Sequence, residues 1–103
     1  MSGFVRAASA SQVKPGDLLT IELEGESVLI ANVEGNYFAM GAICTHEEWD
    51  LSEGSPDGFL VTCAGHGAVW DVRTGKAEFD ELLEDEPLFD IKEEDGQLYV
   101  RKR

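Results

Sequence analysis

Two short stretches hold every cysteine and every histidine of the chain: Cys44-Thr45-His46 and Cys63-Ala64-Gly65-His66. Each supplies one thiolate and one imidazole, and sixteen residues separate His46 from Cys63. Thiolates and imidazoles are the ligands that zinc and iron centres take in proteins. Two such pairs, with no cysteine or histidine elsewhere, point to one four-ligand metal site assembled from two loops.

Two centres use two Cys and two His. One is a 2Fe–2S cluster of mixed ligation, for which C-x-H, a gap of this size and then C-x2-H is the pattern. Cys44 and Cys63 would then be thiolates on the inner iron, and His46 and His66 neutral imidazoles on the outer one. Exchanging two thiolates for imidazoles removes negative charge, raising the potential from about −400 mV to about −150 to +300 mV. Each imidazole keeps a second ring nitrogen free to ionise or to touch a partner, which couples proton to electron transfer. The rival centre is tetrahedral zinc. C-x-H is a tight spacing for a structural zinc pair, and the helix-borne His pair of a zinc finger is missing. A Cys44–Cys63 disulfide would leave both histidines unexplained.

The surroundings suit a cluster. Gly65 and Gly67 flank His66 and allow unusual backbone angles and close approach of N–H groups to sulfur. Trp49 and Trp70 lie near the two loops in sequence and read as core or shielding aromatics, which exclude water and so bear on the potential.

The positioning elements read as short strands. Phe4-Val5-Arg6-Ala7 is an edge strand, and residues 13–17 form a turn around Pro15-Gly16. Residues 18–23 alternate as a strand, with Leu19, Ile21 and Leu23 on one side. Glu24-Gly25-Glu26 is a tight connection, residues 28–33 are a buried apolar strand, and Glu34-Gly35-Asn36 turns the chain into a strand over residues 37–40. This is a meander of antiparallel hairpins. Residues 50–58 read as a loop, 59–62 as the strand delivering Cys63, and 68–72 as an exit strand closed by Arg73-Thr74-Gly75-Lys76. Residues 78–86 hold six acids and read as a solvated acidic loop. Pro87 stops any helix there. Residues 88–92 and 97–101 flank an Asp95-Gly96 turn, and Arg101-Lys102-Arg103 reads as a solubilising tail.

At 103 residues this is a single domain with a modest core. A net charge of −13, from 21 acids and 8 bases, argues against nucleic acid and anionic membranes. It suits a partner with a basic docking patch, or simply a soluble acidic surface. No run approaches the ~18 apolar residues of a membrane span, and no signal peptide is evident, so a cytoplasmic protein is expected.

At these residues the chain resembles the Rieske ferredoxins, and more closely the small ferredoxin components of bacterial ring-hydroxylating dioxygenase systems. Residues 44–54 are similar to that family's first loop and following turn. Residues 63–67 with Trp70-Asp71-Val72-Arg73-Thr74-Gly75-Lys76 are similar to its second loop and exit hairpin. Pro87 and the last hairpin resemble the proline that covers the cluster and the closing strands. The resemblance implies an all-β, Rieske-type antiparallel β-sandwich over residues 1–103, with a small inserted cluster-binding subdomain at about 42–74. It implies one 2Fe–2S cluster per chain, held by Cys44, His46, Cys63 and His66. It also implies a soluble one-electron carrier, itself no enzyme, between an NAD(P)H-dependent flavin reductase and a terminal oxygenase. A small Rieske subunit of another redox enzyme, such as assimilatory nitrite reductase, and a zinc-stabilised interaction module are the alternatives.

The chain departs from the pattern in places. Ala64 stands where many members have Pro. The Rieske subunits of cytochrome bc complexes carry two further cysteines, and Ser and Tyr donors where this chain has Ala68 and Trp70. Without those hydroxyls a potential nearer about −150 mV than +300 mV is expected. An oxygenase needs a second iron site of two His and a carboxylate, but both histidines are committed. A reductase needs a nucleotide fingerprint such as G-x-G-x-x-G, and none is present.

Overall fold

The structure is a computed structural model that describes residues 3–43, 49–64, 67–78 and 85–103. Strands dominate it, as the alternation of short apolar runs with Gly-centred turns predicts. Strands β1 (Val5–Ser9), β2 (Leu18–Leu23), β3 (Glu26–Val33) and β4 (Asn36–Gly41) come first. Four short strands follow: β5 (Ser55–Asp57), β6 (Leu60–Thr62), β7 (Val69–Asp71) and β8 (Ala77–Glu78). The last hairpin is β9 (Leu88–Glu94) and β10 (Gln97–Lys102). Two antiparallel sheets result, a six-stranded one ordered β1-β10-β9-β4-β3-β2 and a four-stranded one ordered β5-β6-β7-β8. The expected all-β fold, with the second sheet inserted between β4 and β9, is what forms.

Three hairpins close through two residues each. Both central residues have positive φ in Glu24-Gly25 (51° and 84°), Glu34-Gly35 (54° and 91°) and Asp95-Gly96 (50° and 77°). That geometry matches the right-handed twist of the flanking strands, and Gly carries its share at no steric cost. The turns are thus shorter than the sequence suggests: Glu26, Asn36, Glu93 and Glu94 belong to strands.

The near-continuous apolar run of β3 has a simple cause: it is buried on both faces. Leu29, Ala31 and Val33 join one core cluster with Met40, Ala42, Leu51, Val61, Cys63, Ala68, Trp70 and Val72. Val28 and Ile30 join the other, with Val13, Leu23, Ala39, Phe89, Leu98 and Val100. Successive residues of one strand therefore serve both cores. Asn32, buried in the same strand, is satisfied locally. Its Nδ2 donates to the Val13 carbonyl at 2.8 Å and its Oδ1 accepts from Gly35 N–H at 2.8 Å, tying the turn at residues 13–17 to β3.

Two expectations need correction, and a third gains detail. The stretch 50–58, expected as a loop, contains a 3₁₀ turn (Leu51–Glu53) and strand β5. Pro56 is tolerated there because β5 is an edge strand. The basic tail, read as a solubilising end, stays largely exposed and is paired with acids. Arg101 and Arg103 both reach Asp90, at 2.7 and 2.9 Å, and Lys102 reaches Glu26 at 2.7 Å. Of the acidic stretch, residues 79–84 lie outside the described residues, but Glu86 is only 4% exposed rather than solvated. Its backbone N–H donates to the Gly75 carbonyl at 2.7 Å. A Cβ on Gly75 would collide with the Glu86 carbonyl, and one on Gly41 with the Glu86 carboxyl, so two glycines make room for this residue.

Candidate metal centre

Cys63 follows β6 directly and is 2% exposed. Its N–H donates to the Ala68 carbonyl at 2.7 Å, and its carbonyl accepts from Gly67 N–H at 3.1 Å. The first bond continues the β6–β7 pairing past Thr62 and Val69, and the second closes the second loop at its base. Gly67 has φ of +80°, a left-handed conformation that lets the chain reverse within four residues of Cys63. His66 and Gly65 lie outside the described residues, as do Cys44 and His46.

The first loop is closed as firmly. Ile43 and Asp50 form an antiparallel bridge, and Leu51 N–H donates to the Ala42 carbonyl at 2.7 Å. Asp50 caps the 3₁₀ turn. One carboxylate oxygen accepts from Thr20 Oγ1 at 2.7 Å, Ser52 N–H at 2.9 Å and Ser52 Oγ at 2.8 Å. Burial is the largest single influence on this carboxyl and pushes its pKa up. The hydrogen bonds from Thr20 and Ser52 together outweigh it and hold the group below the usual carboxylate value. At the end of the turn, Gly54 lies so close to β6 that a Cβ there would clash with the Thr62 carbonyl oxygen. The exit of the first loop is thereby locked to the strand that delivers Cys63.

The two bases meet in one place. Ala42 and Leu51 from the first, and Cys63 and Ala68 from the second, are all buried in the same cluster, with Val61 and Trp70 between the strands. Trp70 is fully buried, as a core aromatic should be, and its indole Nε1 has no hydrogen-bond partner among the described residues. Trp49 differs: at 43% exposed it lies on the surface rather than in the core.

Sequence reasoning missed Asp50, Gly54 and Glu86. Asp50 followed three residues later by Glu53 is a capping signature that would have marked the 3₁₀ turn. Gly54 carries no such signal, because its need is for space against a strand distant in sequence.

The chain belongs to the Rieske [2Fe-2S] domain family, whose model matches residues 3–85. It is 38% identical over 98 residues to the biphenyl dioxygenase ferredoxin subunit of Pseudomonas sp. (strain KKS102), covering 94% of this chain and 90% of that one. It is 40% identical over 75 residues to the biphenyl 2,3-dioxygenase ferredoxin component of Rhodococcus jostii (strain RHA1), covering 73% and 70%. Its fold superposes with a TM-score of 0.89 and 25% identity on a chain of a complex of reduced oxygenase and oxidized ferredoxin in carbazole 1,9a-dioxygenase, covering 100% of this chain and 98% of that one. The cofactor of the family is a 2Fe–2S cluster, and the residues here fit it. A buried thiol stands at the base of the second loop, the base of the first packs beside it, and the sequence offers two Cys and two His in the required spacing.

Proposed function

We propose that this chain is a one-electron carrier that takes electrons from an NAD(P)H-dependent flavin reductase and delivers them to a terminal oxygenase of the aromatic ring-hydroxylating type. The observation that carries this reading is the joint burial of both loop bases in one cluster, on a scaffold matched along nearly its whole length by dioxygenase ferredoxins. The protein is an electron-transfer component rather than an enzyme. When bound, the cluster supplies a single reversible electron at a potential set by its two imidazole ligands.

The chain's own residues do the rest. Cys44 and Cys63 would hold the cluster as thiolates, and His46 and His66 would hold it as neutral imidazoles. Cys63 is fixed by its backbone bonds to residues 67 and 68, so little reorganisation accompanies a change of charge. The buried aliphatic side chains of Ala42, Leu51, Val61 and Ala68 keep water from that side. As ligands, His46 and His66 would each keep a second ring nitrogen through which an electron could pass to the partner. Residues of about 42–74 act as a cluster-binding subdomain within a single domain spanning 1–103. No helix among the described residues is long and apolar enough to cross a membrane. With an NAD(P)H-dependent reductase as its proposed electron source, we assign the carrier to the cytoplasm.

The test is anaerobic mixing of the reduced protein with the oxidised terminal oxygenase of a biphenyl dioxygenase. Reoxidation of the carrier with matching reduction of the oxygenase is expected. Failure to reoxidise with the oxygenases of the biphenyl and naphthalene systems alike would contradict this partner assignment.

A further inference from the structure

Among the described residues, the indole of Trp70 is a buried donor near Cys63 that the fold leaves unused. Trp70 lies on β7 directly opposite Val61 of β6, and the ladder continues through the bond from Cys63 N–H to the Ala68 carbonyl. Strand alternation therefore puts Val61, Cys63, Ala68 and Trp70 on one face, and all four are buried in the same cluster. Trp70 is thus the diagonal cross-strand neighbour of Cys63, a separation that aromatic side chains span. Its Nε1–H is shielded from water and has no acceptor among the described residues. Buried N–H groups are nearly always satisfied, so an orphan signals a partner of another kind. The other side chains of this cluster are hydrocarbon except for the sulfurs of Cys63 and Met40.

Resting on the functional reading above, we infer that Trp70 Nε1–H donates a hydrogen bond to sulfur of the iron–sulfur centre that Cys63 anchors. Trp70 is then a positioning residue that sets the reduction potential, beyond its part in the core. A hydrogen bond to sulfur stabilises the extra negative charge of the reduced state more than the oxidised state. Trp70 therefore favours reduction, supplying an indole N–H from a strand position where no hydroxyl is available.

The experiment uses the holoprotein. Iron and sulfide are quantified first, and the midpoint is then read by redox titration. Trp70→Phe, which keeps an aromatic ring and deletes the donor, is expected to retain its cluster while the equilibrium for reduction weakens about tenfold, about 59 mV for one electron. Trp70→Tyr, which restores a donor, is expected to recover most of that loss. If Trp70→Phe fails to fold, the native indole decides the matter. In Trp49→Phe protein labelled with ¹⁵N at the indole, Trp70 is the single tryptophan, and pulsed EPR of the reduced protein is expected to show a ¹⁵N coupling. An unchanged midpoint in fully loaded Trp70→Phe, or no ¹⁵N coupling, would overturn this inference and leave the carrier reading standing. A native protein that binds no cluster would overturn both.

Discussion

Single side chains at the loop bases carry separable roles. His66 has no structural duty that the sequence reveals, so His66→Ala tests ligation most cleanly. We expect loss or conversion of the cluster, seen in iron content and the visible spectrum, with the β9–β10 hairpin retained in the far-ultraviolet signal. An unchanged visible spectrum would refute His66 as a ligand. Asp50 is structural. Removing its carboxylate in Asp50→Ala strips the 3₁₀ turn of its cap and Thr20 of its acceptor, and should cost about 1–2 kcal/mol in urea unfolding. The sign with pH follows from the lowered pKa. A carboxyl more acidic folded than unfolded stabilises the fold above its ordinary value of about 3.9, and that contribution is lost as pH falls through its folded value. The stability gap between the native protein and Asp50→Ala should therefore be widest near neutral pH and close in acid. A gap that widened in acid would show the assignment to be wrong.

Among the elements, the decisive contacts join pieces far apart in sequence. Gly54 shows this best: a Cβ there would clash with the Thr62 carbonyl oxygen. Gly54→Ala must push β5 from β6, and we expect a cost of about 1–3 kcal/mol together with reduced cluster retention after gel filtration. Native stability and full retention in that variant would contradict the proposed locking of the two loops. The sequence is informative where physics is local. Glu-Gly and Asp-Gly pairs mark the tight turns because only certain residues accept positive φ, and the Cys and His spacing marks the metal site because ligands must converge. It is silent where the cause is a distant neighbour. Strand β5 hides in a run of Ser, Pro, Asp and Gly because pairing with β6 overrides composition. Glu86 reads as one more surface acid, because only the folded chain brings Gly41 and Gly75 around it. Trp70 reads correctly as a core aromatic, but its idle N–H becomes visible only once its surroundings are known.

For the molecule as a whole, charge and fold point the same way. A net charge of −13 creates a long-range field that would steer a partner with a basic docking face into encounter, and salt screens it, with a Debye length of about 8 Å at physiological ionic strength. The second-order rate constant for electron delivery to the oxygenase should therefore fall steeply as salt rises from about 10 mM to 500 mM. A rate that rose or stayed flat would mean that charge has no part in docking. The two sheets share one core around the loop bases, so the scaffold fixes Cys63 and the base of the first loop side by side. The most direct test of the central claim is an EPR spectrum of the anaerobically reduced protein. A rhombic signal with an average g below the free-electron value is the result expected of a 2Fe–2S cluster held by Cys44, His46, Cys63 and His66. A colourless, EPR-silent sample that binds zinc instead would contradict it.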